Sequence, residues 1–163
     1  DDKKLSEKLK QIRNHGISKN HLTTTFGLNL RLPEINAAIA KVQMKKLPVL
    51  LKKRKINAQI LTELLKNYDI ILPKQRKSET LNWYLYTIAL KNRNVAMKKL
   101  NSSGINASVY YSPPIHKTPY YKTKTGLRNT EWAACHVLSL PIHPKVRKSD
   151  MIKMKKILSR NRN

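Results

Sequence analysis

The stretch from Pro33 to Leu65 constrains this chain more than any other, because it reads as nearly continuous helix. Pro33 stands where a first helical residue should, since the N–H it lacks would be unpaired there anyway. Ile35, Ala38, Ile39, Val42 and Lys46 fall near one face. Further on, Leu50, Leu51, Ala58, Leu61, Leu64 and Leu65 form a second stripe suited to a core. Pro48 lies between the two. It removes an N–H and crowds the preceding turn, so the sequence predicts a kink or break at Leu47-Pro48. Lys52-Lys53-Arg54-Lys55 reads as a mostly solvated face, and Asn67-Tyr68-Asp69 closes the run.

The flanking segments are shorter. Leu5, Leu9 and Ile12 give an apolar stripe over residues 1–16, with Gly16 as a carboxy-terminal cap. Residues 17–31 have turn chemistry, and Thr23-Thr24-Thr25-Phe26-Gly27 reads as an extended loop. Residues 81–90, LNWYLYTIAL, predict a strand with Trp83, Tyr84 and Tyr86 in a sheet core. A short helix over 93–103 around Val95, Met97 and Leu100 ends at Gly104. A second strand runs from Ile105 to Tyr111. Pro113-Pro114 stops it and opens an aromatic loop to Tyr121, in which Tyr110, Tyr120 and Tyr121 are expected to pack. Helices over Glu131 to Val137 and Ser149 to Arg160 flank the strand-like Leu138-Ser139-Leu140-Pro141. Ser149 or Asp150 is the expected cap of the last helix. The order predicts an α+β fold with helices on a small sheet.

Composition narrows the class. With 163 residues the chain suits one ordinary domain, burying roughly 70% of its unfolded surface. Gly 4 and Pro 8 exclude a fibrous or low-complexity protein. No apolar run reaches the roughly 18 residues of a membrane span. The start, DDKKLSEKLK, is no secretory signal, and without an initiator methionine it suggests a piece of a longer, cytoplasmic protein. The lone Cys135 is expected to be a buried thiol. Lys+Arg 34 against Asp+Glu 9 gives +25. That balance suits a nucleic-acid-binding module, an enzyme for anionic nucleotide-sugars, or simply a Lys-rich proteome. Lys52 to Lys55 and the basic last helix, with Lys153, Lys155, Lys156, Arg160 and Arg162, favour the first. Against it, the basic residues are spread over the whole chain and aromatics are not interleaved with them.

Several blocks, in order, resemble one family. Lys10-Gln11-Ile12-Arg13-Asn14-His15-Gly16 resembles its "lr-x-hG". Gly27-Leu28-Asn29-Leu30-Arg31-Leu32-Pro33-Glu34-Ile35-Asn36-Ala37-Ala38 resembles its "G-x-N-x-R-m-x-e-i-x-A-A". Arg54 and Ala58 fall in its "R…A…L" helix. Residues 100–116, LNSSGINASVYYSPPIH, resemble its "L-x-x-x-G-I-x-x-x-x-Y-x-P-x-H". Glu131 followed by Leu138-Ser139-Leu140-Pro141-Ile142-His143-Pro144 resembles its "E…LSLP-x-h-P". The family is the DegT/DnrJ/EryC1/StrS sugar aminotransferases, dependent on pyridoxal 5'-phosphate (PLP). Leu30 stands where an aromatic is common, and Pro48 is unexpected in the long helix.

The resemblance implies the aspartate aminotransferase-like fold. Residues 1–31 would be a remnant of the large domain and an active-site loop. Residues 32–163 would be the connecting helix and the small carboxy-terminal α+β domain. It implies transfer of an amino group, usually from glutamate, to a nucleotide-linked keto-sugar for polysaccharide or glycan biosynthesis. Dehydratases share the scaffold. It also implies a homodimer whose sites are shared, with Asn29 reaching the partner's PLP phosphate and Arg31 lining the same site. On residue type alone, a turn role for Asn29 and a surface charge for Arg31 are the favoured readings, and it is the flanking pattern that reverses the preference. Tyr111 and His116 are candidates for substrate binding, as an aromatic wall and a hydrogen-bonding imidazole; a packed loop with a structural histidine is the alternative. His15 is a weaker candidate. His21, His136 and His143 show no metal-ligand spacing. The family's Schiff-base lysine precedes the "hG" block, and no residue here matches it. Lys117, in Ser112-Pro113-Pro114-Ile115-His116-Lys117, occupies the slot of the Y-x-P-x-H block and is not assigned that role. These residues alone are therefore expected to be inactive.

Overall fold

The structure is a computed structural model that describes residues 1–121 and 123–159. The order is α1 (Lys3–Arg13), α2 (Glu34–Leu65), β1 (Tyr86–Ala89), α3 (Arg93–Ser102), a 3-10 turn (Ile115–Lys117), α4 (Arg128–His136), β2 (Val137–Leu140) and α5 (Lys148–Ser159). The α+β expectation holds. The chain divides into two compact units, Asp1–Leu47 and Pro48–Asn163. The Arg160 end of the last helix, with Arg162, lies outside the described residues.

The first unit is built on α1. Asp2 caps it by accepting the Leu5 N–H at 3.0 Å. At the other end Asn14 is the cap, His15 takes φ 58, and the Gly16 N–H bonds to Gln11 O at 2.8 Å. This closes a Schellman-type end, in which His15 and not Gly16 holds the first left-handed position.

The second unit carries the core. Ala58, Leu61 and Leu65 on α2, Tyr86 and Ile88 on β1, Leu100 on α3, Leu138 and Leu140 on β2, and Met151, Met154 and Leu158 on α5 pack in one cluster. β1 and β2 pair antiparallel, with Tyr86 opposite Leu140 and Ala89 opposite Val137. Arg93 is buried, yet its guanidinium donates to Ala134 O at 3.0 Å and Val137 O at 3.4 Å. It thereby satisfies carbonyls at the end of α4.

Several expectations are corrected. α2 continues as helix through Pro48, so of the kink or break expected there the break does not occur. A proline inside a helix costs about 3 kcal/mol, and burial of Ala58, Leu61 and Leu65 on the following turns offsets it. β1 starts at Tyr86, not at residue 81. Trp83 adopts φ 51, and the carbonyls of Trp83 and Tyr84 are both taken by the Arg54 guanidinium at 3.1 Å. Arg54 therefore leaves the solvated face predicted for residues 52–55, and Tyr84 is exposed rather than in the sheet core. The segment from Ile105 makes only one bridge, Ser108 with Ser139, because the Ala107 N–H is held by Asn101 Oδ1 at 2.8 Å. Val95 is exposed, and Ala96 takes its place in the core. Tyr110, Tyr120 and Tyr121 are exposed, and so is Cys135 on the outer face of α4. Asp150 sits in the first turn of α5 and reaches back to accept the Arg147 N–H at 3.0 Å. It caps from inside the helix, not from the position before it.

Candidate functional site

In the first unit the decisive contact is between two glycines. A Cβ on Gly16 would lie 1.8 Å from Thr25 O, and one on Gly27 would lie 1.9 Å from Gly16 N. Only glycine permits that approach of two backbones. Hydrogen bonds then strap the loop to the end of α1: Leu28 N to Ile12 O at 2.7 Å, His15 N to Leu28 O at 3.1 Å and Leu30 N to Arg13 O at 2.9 Å. Asn14 and Asn29 form an antiparallel bridge. The bridge at Asn29 fixes the backbone two residues before Arg31. Asn29 and Arg31 are both exposed. Arg31 lines an open depression of about 800 Å³ with Lys10, Arg13 and Lys19, while Glu7 on the same wall is ion-paired to Lys10 at 2.9 Å. Lys10 and Lys19 hold the Glu7 carboxyl below its ordinary value. His15 is exposed beside the loop, its backbone committed to the helix end.

The second unit holds a separate cavity of about 870 Å³, mostly apolar in lining. Tyr111 and His116 both line it, with Tyr84, Tyr121, Leu127 and Ala133. The sequence-predicted pair is therefore brought together. His116 is only 12% exposed, and its Nε2 lies 3.1 Å from Glu131 Oε1. The same oxygen accepts the Leu127 N–H at 3.1 Å and lies 3.3 Å from Lys117 Nζ. These donors, His116 first, pull the Glu131 carboxyl down to about 2. Glu131 thus ties the 3-10 turn to α4 and orients the imidazole. Lys117 is engaged in that tie. Among the described residues no cluster of three His, Cys, Asp or Glu side chains is placed to hold a metal ion. No helix among them is long and apolar enough to cross a membrane.

A profile of the DegT/DnrJ/EryC1/StrS aminotransferase family matches residues 1–159. The chain belongs to that family. It is 30% identical to an uncharacterized protein of Methanocaldococcus jannaschii over 99% of this chain and 49% of the relative. It is 28% identical to the dTDP-3-amino-3,4,6-trideoxy-alpha-D-glucose transaminase of Streptomyces venezuelae, over 94% and 42% respectively. Among solved structures, DesV of S. venezuelae superposes with a TM-score of 0.89 at 27% identity, covering 98% of this chain and 44% of that one. PseC of Helicobacter pylori, an aminotransferase of pseudoaminic acid biosynthesis, gives 0.87 at 25% identity over 96% and 46%. The chain therefore spans less than half the length of the DegT/DnrJ/EryC1/StrS proteins it matches. The family match lends nothing to the nucleic-acid reading.

Sequence reasoning missed two parts of these sites. Lys10, Arg13 and Lys19 were not singled out as partners of Arg31, although Lys10 and Arg13, three apart on α1, share a face in any helix. Glu131 was noted only as a family position. Its role depends on the turn that brings residues 116 and 131 together, which no local spacing announces.

Proposed function

We propose that this chain is the carboxy-terminal part of a PLP-dependent aminotransferase. It moves an amino group from an amino acid, with glutamate the expected donor, to a nucleotide-linked keto-sugar used in polysaccharide or glycan biosynthesis. Residues 1–31 are the end of the large domain and an active-site loop, and residues 32–163 the connecting helix and small domain. The protein is cytoplasmic and works as a homodimer with shared active sites. What carries this reading is the loop strapped by Gly16 and Gly27, which presents Asn29 and Arg31 outward. A planar guanidinium and a primary amide, free of hydrogen bonds to the described residues, suit a phosphate. The residues present therefore fit the cofactor's phosphate end, with Asn29 and Arg31 holding it. The cofactor, when bound, supplies the electron sink that amino transfer requires. His116, oriented by Glu131, and Tyr111 bind and orient the sugar substrate, and His15 of the first unit is a further, separate substrate-binding residue. The 163 residues by themselves do not turn over, because none of them matches the family's Schiff-base lysine.

The test is complementation in the longer protein. Asn29→Ala protein is mixed with protein lacking the cofactor lysine, each inactive alone. Shared sites predict recovered amino transfer in the heterodimer, to about a quarter of the wild-type rate if subunits exchange at random and one of the two sites in each heterodimer is intact. No recovery, with heterodimer formation confirmed, sinks the shared-site reading. Turnover by residues 1–163 alone with PLP and glutamate sinks the assignment of the missing lysine.

A further inference from the structure

The layer formed by α3 and α5 turns one face to the core and leaves the other bare. Ala96 and Leu100 of α3 and Met151, Met154 and Leu158 of α5 are buried. The helical period then sends Val95, Lys98, Lys99 and Ser102 outward on α3, at i, i+3, i+4 and i+7. α5 repeats the pattern with Ser149, Ile152, Lys153 and Lys156. The two stripes meet. Lys153 Nζ donates to Ser103 O at 2.6 Å, and Lys99, Ser103 and Lys156 line one open depression of about 540 Å³. α3 carries no acidic residue, and α5 carries Asp150 alone. Asp150 is ion-paired to Arg147 at 3.2 Å, and Lys153 adds to the pull that holds its carboxyl below the ordinary value. Lys98, Lys99 and Lys156 have no ion pair among the described residues. Lys99 and Lys156 fall in last turns, where the helix dipole favours a cation. The dipole gives no such reason for Lys98 or Lys153. We infer that the outer face of α3 and α5 is a docking surface for the anionic headgroups of a lipid bilayer and holds the protein reversibly at a membrane surface. This goes beyond the aminotransferase reading and does not rest on it.

Compact ammonium groups on flexible stems adapt to a fluid array of phosphodiesters, and each adds about fivefold in affinity at an anionic leaflet. Val95 and Ile152, 49% and 37% exposed beside the lysines, suit the boundary between headgroups and acyl chains. A nucleic-acid surface has a different chemistry, built on guanidinium forks and aromatic stacking. The two stripes hold neither arginine nor aromatic side chains. No helix among the described residues can cross a membrane, so the attachment is peripheral and weakens with salt.

The test is co-sedimentation of the 163-residue chain with vesicles of mixed phosphatidylcholine and phosphatidylglycerol, and with vesicles of phosphatidylcholine alone, at physiological ionic strength. One variant combines Lys98→Gln, Lys99→Gln, Lys153→Gln and Lys156→Gln. A second combines Lys45→Gln, Lys46→Gln, Lys52→Gln and Lys53→Gln, which removes the same charge from exposed positions of α2 and so controls for the +25 net charge. Circular dichroism confirms that both are folded. The chain should bind the mixed vesicles and not the neutral ones. The first variant should lose about tenfold or more in affinity. The second should lose less than about threefold, because exposed charges beyond a Debye length are screened. Ile152→Ala should weaken binding about twofold through lost apolar contact. Equal loss in both lysine variants, or neutral vesicles bound as tightly as mixed ones, overturns the inference. Polyglutamate or duplex DNA bound more tightly than the mixed vesicles, with the same loss in the first variant, gives the face to an acidic protein or a nucleic acid and overturns it too. None of these outcomes bears on the aminotransferase reading, which the complementation experiment tests separately.

Discussion

The two units are held by different forces. From Pro48 onward the chain buries a continuous set of Leu, Ile, Met and Tyr side chains, with Leu61, Leu65, Tyr86, Leu100 and Leu138 fully inaccessible. In residues 1–47 only Gly16 is buried. The apolar residues there face outward: Leu5, Leu9, Leu30, Ile35 and Ile39 are all more than half exposed, and Phe26 is 77% exposed. What shapes the loop before α2 is backbone hydrogen bonding and the contact of two glycines. Hydrophobic burial supplies most folding free energy, so the second unit can stand on its own packing. The first unit keeps its geometry but draws little stability from its own side chains. The phosphate-facing candidates sit in this weakly buried unit, where ligand-binding loops are commonly found.

The largest effect that separates the units is a core truncation. Leu61→Ala should destabilise the chain by about 2–5 kcal/mol, the range for a buried leucine whose site cannot collapse. Leu9→Ala, more than half exposed on α1, should cost about 0.5 kcal/mol or less. Urea unfolding followed by far-ultraviolet circular dichroism reads both. Equal shifts of the midpoint would mean that the first unit has a core of its own and that the contrast is wrong.

A smaller but more local effect comes from the glycines. Gly27→Ala puts a methyl within 1.9 Å of Gly16 N, and backbone on both sides leaves it no room. The loop must move off α1. Hydrogen exchange at the Leu28 and Leu30 amides, bonded to Ile12 and Arg13 in the native chain, should quicken at least tenfold, which is about 1.4 kcal/mol of lost protection. The Ile88 and Leu138 amides should be unaffected. Unchanged protection at Leu28 would show that the glycine contact does not set the loop.

What was legible in the sequence follows the same division. The stripe of Ala58, Leu61 and Leu65 is a helical period, and burial confirms it directly. Gly16 was legible as a helix end, but its pairing with Gly27 was not, because a loop held by backbone contacts leaves no hydrophobic period to read. The strand boundaries failed for a specific reason. Residues 81–85 and 105–111 have strand-like side chains, but Arg54 and Asn101 capture the backbone groups a ladder would use. Tyr120 and Tyr121 pair edge to face with each other, so aromatic content there signals a local pair and not a core. Cys135 was misjudged because the general burial of cysteine carries no information about which face of α4 position 135 occupies.

The smallest expected effect is on pH dependence, and it tests whether the second unit's cavity is as settled as its core. Glu131 has its carboxyl lowered to about 2 from an ordinary 4.5, with His116 the leading cause and the Leu127 N–H and Lys117 behind it. A carboxylate whose folded value is depressed contributes its full stabilisation above the unfolded value, and that contribution fades as pH falls from about 4.5 toward 2. The group is partly exposed, so salt screens the effect. Nuclear magnetic resonance titration of the Glu131 side chain should place its midpoint well below 4, with shifts at Leu127 and His116 following the same curve. Glu131→Gln should flatten that curve and free the imidazole to change its orientation, while the Leu61 environment stays as it was. A midpoint near 4.5 would mean that His116 is not clamped, and that the cavity wall belongs with the loosely held regions of the chain and not with the core beneath it.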